Sequence, residues 1–202
     1  MAGLVCIPLS VADGEALVRL ATDTVRRLLC GSDPDGRPPR SSALRRVGCS
    51  FVTLESQGAL RGCIGTLEPA RPLYRDVSRN AGRAMVDPRL DPVSPDEWLE
   101  LDVSVSVLSP AEAVPAHGFA QLTGMLRPYV DGLIVAVGPQ QATFLPAVWH
   151  KLPDPADFLA ALLAKGGWHR DRLPAGARVR RYTASEFHDA RPHAPLTPDG
   201  LR

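Results

Sequence analysis

Aromatic residues are scarce in this chain, at 5% of 202 positions, and net charge is nearly absent: 23 lysines and arginines face 22 aspartates and glutamates, leaving +1. Near-neutrality supplies no overall field to gather nucleic acid, a membrane surface or acidic substrates, so composition supports neither a nucleic-acid partner nor a membrane partner. Nowhere do 18 apolar residues run together, and the apolar stretch within the first ten positions has no positive flank and no small-residue cleavage pattern. Neither secretion nor a membrane span is expected, and the expected location is cytoplasmic. Cysteine is sparse as well. Cys6, Cys30, Cys49 and Cys63 have no CxxC spacing, which argues against a zinc site and, in a cytoplasmic setting, against structural disulfides. GxGxxG, P-loop, HExxH and GxSxG patterns are all missing, as are internal repeats, so no cofactor and no metal are expected.

What is there reads as a folded protein. At 45% hydrophobic, 202 residues can build one sizeable domain or two small lobes sharing a core. Leu17, Leu20, Ala21, Thr24, Val25, Leu28 and Leu29 recur at helical spacing over residues 11–30, with Ser10 or Asp13 as N-cap and Gly31 as the stop. The prolines and glycine of residues 33–40 make a surface loop. A second helix is predicted from about Pro72 to Val86, with Leu73, Val77, Ala81, Ala84 and Met85 on its core face. Asp87-Pro88 stops it. Asp87, Arg89 and Asp91 then form a polar cluster on a loop fixed by Pro88 and Pro92, either a salt-bridged turn or part of a site wall.

Ser94-Pro95-Asp96-Glu97 fits a capping box opening a single turn, and Leu101, Val103, Val105 and Val107 alternate with polar residues as a strand. Residues 110–128 read as irregular, with His117 a solvated loop histidine. Strands are predicted at 132–137 and 142–145, and Asp154-Pro155 opens a helix whose core face is Phe158, Leu159, Leu162 and Leu163. Trp149 and Trp168 flank that helix as packing residues. A short strand at 178–182 and a turn at 184–188 complete the single domain, 1–189, and the proline-rich residues 190–202 read as a mobile tail.

The densest chemistry lies at Leu60-Arg61-Gly62-Cys63-Ile64-Gly65-Thr66. Alternation from Val47 to Leu54, the polar Glu55-Ser56-Gln57-Gly58 and a second run predict a β-hairpin. Strict period-2 geometry then puts Arg61 and Cys63 on one strand face, where the guanidinium would favour the thiolate. Gly62 and Gly65 mark a bulge or a close approach by a ligand or another backbone. The plainer reading makes Cys63 a buried packing residue and lets Arg61 reach water along its stem.

This run, LRGCIGT, resembles the signature of the AMMECR family, whose bacterial members are known as protein A of the AmmeMemoRadiSam system. Phe51-Val52-Thr53-Leu54, Asp87-Pro88-Arg89-Leu90, the strand ending Ser109-Pro110, Asp131-Gly132-Leu133 and the run from Thr143 through Val148-Trp149 to Leu159 extend the resemblance over about residues 10–188. It implies an α+β fold of two unequal lobes around mixed or antiparallel β-sheet with packed helices, and association with a Memo-like protein and a radical-SAM enzyme. It implies no defined activity. Leu90 stands where an aromatic is common in the family, and His150 where an acidic residue is common.

Two functional classes compete. In one, Cys63 is a nucleophile with Arg61 stabilising the thiolate, and an acid or base comes from His150, Glu68 or Asp87. In the other, the chain is an accessory or substrate-binding component for its Memo-like and radical-SAM partners. Gly62, Gly65, Thr66, Glu68, Asp87 and Arg89 then wall a surface for a small-molecule ligand, and Arg61 binds a carboxylate or stacks. A third, structural reading makes the signature a packed hairpin.

Overall fold

The structure, a computed structural model, describes residues 9–34, 36–115, 118–189 and 193–196; His117 lies outside them. Ser10 opens the first helix. Its hydroxyl accepts from the Asp13 amide at 3.2 Å and the Asp13 carboxylate accepts from the Ser10 amide at 3.0 Å, so the two alternative caps are partners in one box. The elements in order are α1 (Val11–Leu29), β1 (Val47–Ser56), β2 (Ala59–Gly65), β3 (Arg71–Pro72), α2 (Leu73–Ala84), β4 (Leu101–Leu108), β5 (Glu112–Ala113), α3 (Phe119–Met125), β6 (Gly132–Val137), β7 (Gln140–Phe144), α4 (Pro155–Lys165), β8 (Arg178–Tyr182) and β9 (Ala184–His188). The α+β class is as expected.

Two compact units divide the described chain. One is Ser109–Ala184; the larger takes the described residues before Ser109 and after Ala184. In the larger unit the sheet order is β2-β1-β4-β9, with β3 also paired to β1. Val52, Leu54, Val103 and Val105 point inward from β1 and β4 onto Leu17 and Val25 of α1 and Leu73, Val77 and Ala81 of α2, all essentially inaccessible to water. The second unit has the order β5-β8-β6-β7 and its own core, in which Trp149 stacks on Phe158 at 3.8 Å between ring centres. Trp149 and Trp168 both serve packing, as their positions beside α4 suggested.

Three departures from the sequence reading have simple causes. The irregular stretch 110–128 contains β5 and α3; α3 has only seven residues, too few turns for periodicity to register, and is held by the buried Leu122. The turn at 184–188 is instead strand β9, which is made by its neighbour β4 and by Phe187, whose ring covers Gly14 of α1. A Cβ on Gly14 would fall 2.1 Å from that ring. Within the expected mobile tail, residues 193–196 are docked: His193 stacks on Trp98 at 4.4 Å, the Trp98 indole N–H donates to the Ala194 carbonyl at 2.8 Å, and Leu196 packs on the core.

The hairpin turns at Gln57 and Gly58, with φ of 51° and 79°. Positive φ at both central residues is the type I′ geometry that matches strand twist. Gly62 is needed for a different reason: a Cβ there would lie 1.9 Å from the carbonyl oxygen of Ala84, so the last turn of α2 rests directly on the β2 backbone. Gly62→Ala should therefore cost about 3 kcal/mol by overpacking, read as a lower urea midpoint. Gly124→Ala, where a Cβ meets nothing within 4 Å, should lose no stability.

Candidate functional site

β2 is the outer strand of its sheet, so one row of its backbone groups has no strand partner. At Cys63 a loop fills that role. The Cys63 N–H donates to Oδ2 of Asp87 at 3.0 Å, and Nη2 of Arg89 donates to the Cys63 carbonyl at 3.1 Å. Arg89 also grips Asp87 through Nε at 2.9 Å and through its own amide at 3.1 Å, closing the clasp. The turn that carries both is closed by the Leu90 N–H, which donates a hydrogen bond to the Asp87 carbonyl at 3.0 Å. Asp87 is fully buried and Arg89 largely exposed. The Arg89 guanidinium, against the cost of burial and with help from the Cys63 amide, holds the Asp87 carboxyl well below the usual carboxylate range.

The side chain of Cys63 is partly exposed and lies opposite Thr53, whose hydroxyl reaches its Sγ at 3.4 Å. Cys49 is opposite Leu108 instead, and neither cysteine is in a disulfide. Gly65, the next residue on this face, lies under the Phe51 ring. The pairing register jumps between Leu54/Glu55, where Leu54 meets Gly62 and Glu55 meets Leu60, leaving Arg61 as the extra residue of a β-bulge. That bulge breaks the strict alternation on which a shared Arg61 and Cys63 face rested.

Arg61 turns to Glu97. Its Nη2 donates to Oε1 at 3.0 Å, its Nε binds Oε2, and Nη2 also reaches the Asp91 carbonyl at 3.4 Å. Glu97 simultaneously caps the Ser94 amide at 2.9 Å, the capping box expected there, on a 3-10 helix spanning Pro95–Glu100. Bonding to Arg61 holds Glu97 low despite its partial burial, and Glu97 in turn raises Arg61. A guanidinium neutralised by a bidentate carboxylate has little field left for a thiol. Arg89, not Arg61, is the cation at the Cys63 backbone.

Thr66 belongs to a second constellation. Its hydroxyl donates to Oδ1 of Asp76 at 2.9 Å, beside Nη1 of Arg71 at 2.7 Å, while Oδ2 of Asp76 accepts from the amide and hydroxyl of Ser50 at 2.9 and 2.8 Å. Asn80 completes the network through Nδ2, which reaches the Ser50 carbonyl at 3.0 Å and Asp76 at 3.1 Å. Asp76, Asn80 and Ser50 are wholly buried and pin α2 to β1. None was singled out from the sequence, yet a signal existed: Asp76 and Asn80 stand four apart on the same α2 face as Leu73, Val77 and Ala84, and polar residues on an apolar stripe are the informative exceptions. Glu68 is exposed in a bend after β2. His150 belongs to the Ser109–Ala184 unit, exposed, with its ring 5.4 Å from that of Tyr129.

The signature thus draws together Cys63, Asp87 and Arg89, and separately Arg61 with Glu97. A family model, AMMECR1, matches residues 18–187. The chain belongs to the AMMECR1 family. A Methanothermobacter thermautotrophicus protein is 38% identical over 193 residues, spanning 90% of this chain and 97% of its own. Protein TK0174 of Thermococcus kodakarensis is 36% identical over 201 residues, 91% of this chain and 93% of its own. The AMMECR1 fold is matched by the crystal structure of uncharacterized protein PH0010 from Pyrococcus horikoshii, with a TM-score of 0.82, 33% identity, and coverage of 91% of this chain and 95% of that one. No helix among the described residues is long and apolar enough to cross a membrane.

Breaking the clasp has a worked sign. A carboxyl whose folded pKa lies below its unfolded value of about 3.9 stabilises the fold fully above that value, and the contribution is lost as pH falls through the folded pKa. Asp87→Asn should lose about 3 kcal/mol at pH 7, and its deficit against the parent should shrink as the medium is acidified below about pH 4. Urea titrations at a series of pH values measure both.

Proposed function

We propose that this AMMECR1 protein is an accessory or substrate-binding component, working in the cytoplasm beside a Memo-like protein and a radical-SAM enzyme, with its signature hairpin as a rigid presentation surface. The observation that carries this reading is how fully the signature is engaged in holding itself together. Arg61 is bound to Glu97, both backbone groups of Cys63 are clasped by Asp87 and Arg89, Gly62 is filled by the Ala84 backbone, and Gly65 is covered by Phe51. Groups committed in this way position a surface; they are not poised to exchange protons. The named partners rest on the family resemblance alone.

A thiol-enzyme reading keeps one specific observation in its favour: Cys63 is partly exposed, with a hydroxyl at its sulfur and a guanidinium at its carbonyl. One pair of measurements separates the two. In size-exclusion co-elution with a Memo-like protein and a radical-SAM enzyme from the same organism, Cys63→Ser should assemble as the parent does; failure of the parent to assemble removes the accessory reading. For the thiol, iodoacetamide labelling of Cys63 should match a model thiol across about pH 6–9, around the free value of about 8.5. Labelling at least tenfold faster, and slowed by Arg89→Gln, would instead establish the reactive thiol.

A further inference from the structure

Helix α2 turns a second polar face outward. Arg75, Arg79 and Arg83 recur every four residues, all exposed, so their guanidinium groups form a row with steps of about 6 Å along the helix. Several other arginines of the larger unit meet carboxylates, Arg26 and Arg27 with Asp23, Arg61 with Glu97, Arg71 with Asp76, Arg89 with Asp87, while among the described residues Arg40, Arg45 and Arg46 form no ion pair. Among the described residues the three on this face form no ion pair; Arg75 bonds only the hydroxyl of its neighbour Tyr74, at 2.9 Å. Like charges four apart on a helix repel one another. Arg75 is placed worse still, in the first turn, where the positive end of the helix dipole disfavours a cation.

The row borders a groove of about 490 Å³ between α1 and α2, whose floor includes the apolar Leu20 and Leu28 of α1 and the small residues Ser78 and Gly82 of α2. Gly82 keeps the floor open: a Cβ there would come within 3.1 Å of Leu28 Cδ1. That volume is in the range of small-molecule clefts, about 300–1,000 Å³. An apolar floor beside a file of unpaired guanidinium groups is complementary to one kind of ligand. We propose that this groove binds a small amphipathic polyanion: an apolar body carrying two or three carboxylate, phosphate or sulfonate groups spaced about 6 Å apart, each received by an arginine fork. The site is independent of the accessory role, and either can fail without the other.

The test uses the full chain and a rigid fluorescent probe of this shape, pyrene-1,3,6-trisulfonate, followed by anisotropy. The parent should bind saturably at one site. Arg79→Gln, a surface change that leaves the fold intact by circular dichroism, should weaken binding at least tenfold, whereas Arg178→Gln, an exposed arginine of the other unit, should change it less than twofold. Gly82→Leu removes no charge, favours helix, and fills the floor against the flexible end of Leu28; it too should weaken binding at least tenfold. Absence of saturable binding overturns the proposal, as does equal loss in Arg79→Gln and Arg178→Gln. Unchanged binding by Gly82→Leu, or displacement of the probe by pyrophosphate as readily as by naphthalene-1,3,6-trisulfonate, would reduce the groove to surface charge and equally overturn it. Displacement by a single-stranded oligonucleotide that ignores Gly82→Leu would assign the arginine row to nucleic acid instead.

Discussion

A carboxylate can be stable out of water only if its charge is met on every side, and the buried Asp87 is met by a guanidinium and two amides. That requirement fixes much of the surrounding structure. Arg89 has to fold back over its own loop to reach Asp87, and in doing so it takes the Cys63 carbonyl. The outer edge of β2 is thereby sealed where it would otherwise offer bare backbone to another chain. Val93 then bonds the Met85 carbonyl at 2.8 Å, which returns the chain to the end of α2 and sets up the helix carrying Glu97. Arg61 is held because Glu97 is where that path leaves it.

Elements with strong local chemistry were legible in the sequence. The capping boxes at Ser10 and Ser94, the Asp154-Pro155 start of α4 and the alternation of β1 and β4 all appear where their residues predict them. The α+β class and the family followed from such stretches and from the signature. What escaped was set by tertiary partners. β9 has one apolar anchor and owes its form to β4, and α3 is too short to display a period.

At the site, the signature run and the Asp-Pro-Arg loop were both visible as polar clusters, and their mutual clasp was not, because 24 residues separate Cys63 from Asp87. The bulge at Arg61 was invisible for a sharper reason: a single unpaired residue changes the face of everything beyond it while leaving the pattern of residue types untouched. Arginine in LRGC suggested a partner for the thiol. The carboxylate it meets lies 36 residues away, already counted as part of a helix cap.

The chain leaves the larger unit after Leu108 and re-enters it at Ser185, with the whole of Ser109–Ala184 in between. β9, which adds the last strand beside β4, and the Phe187 ring that covers α1 therefore leave the ribosome only after the whole Ser109–Ala184 unit. Until they emerge, the edge of β4 and the small-residue notch at Gly14 stay open. The nascent larger unit must wait through some 75 residues of synthesis, about 4–15 s at ordinary elongation rates, with a strand edge that its own distant segment beyond Ala184 is built to close.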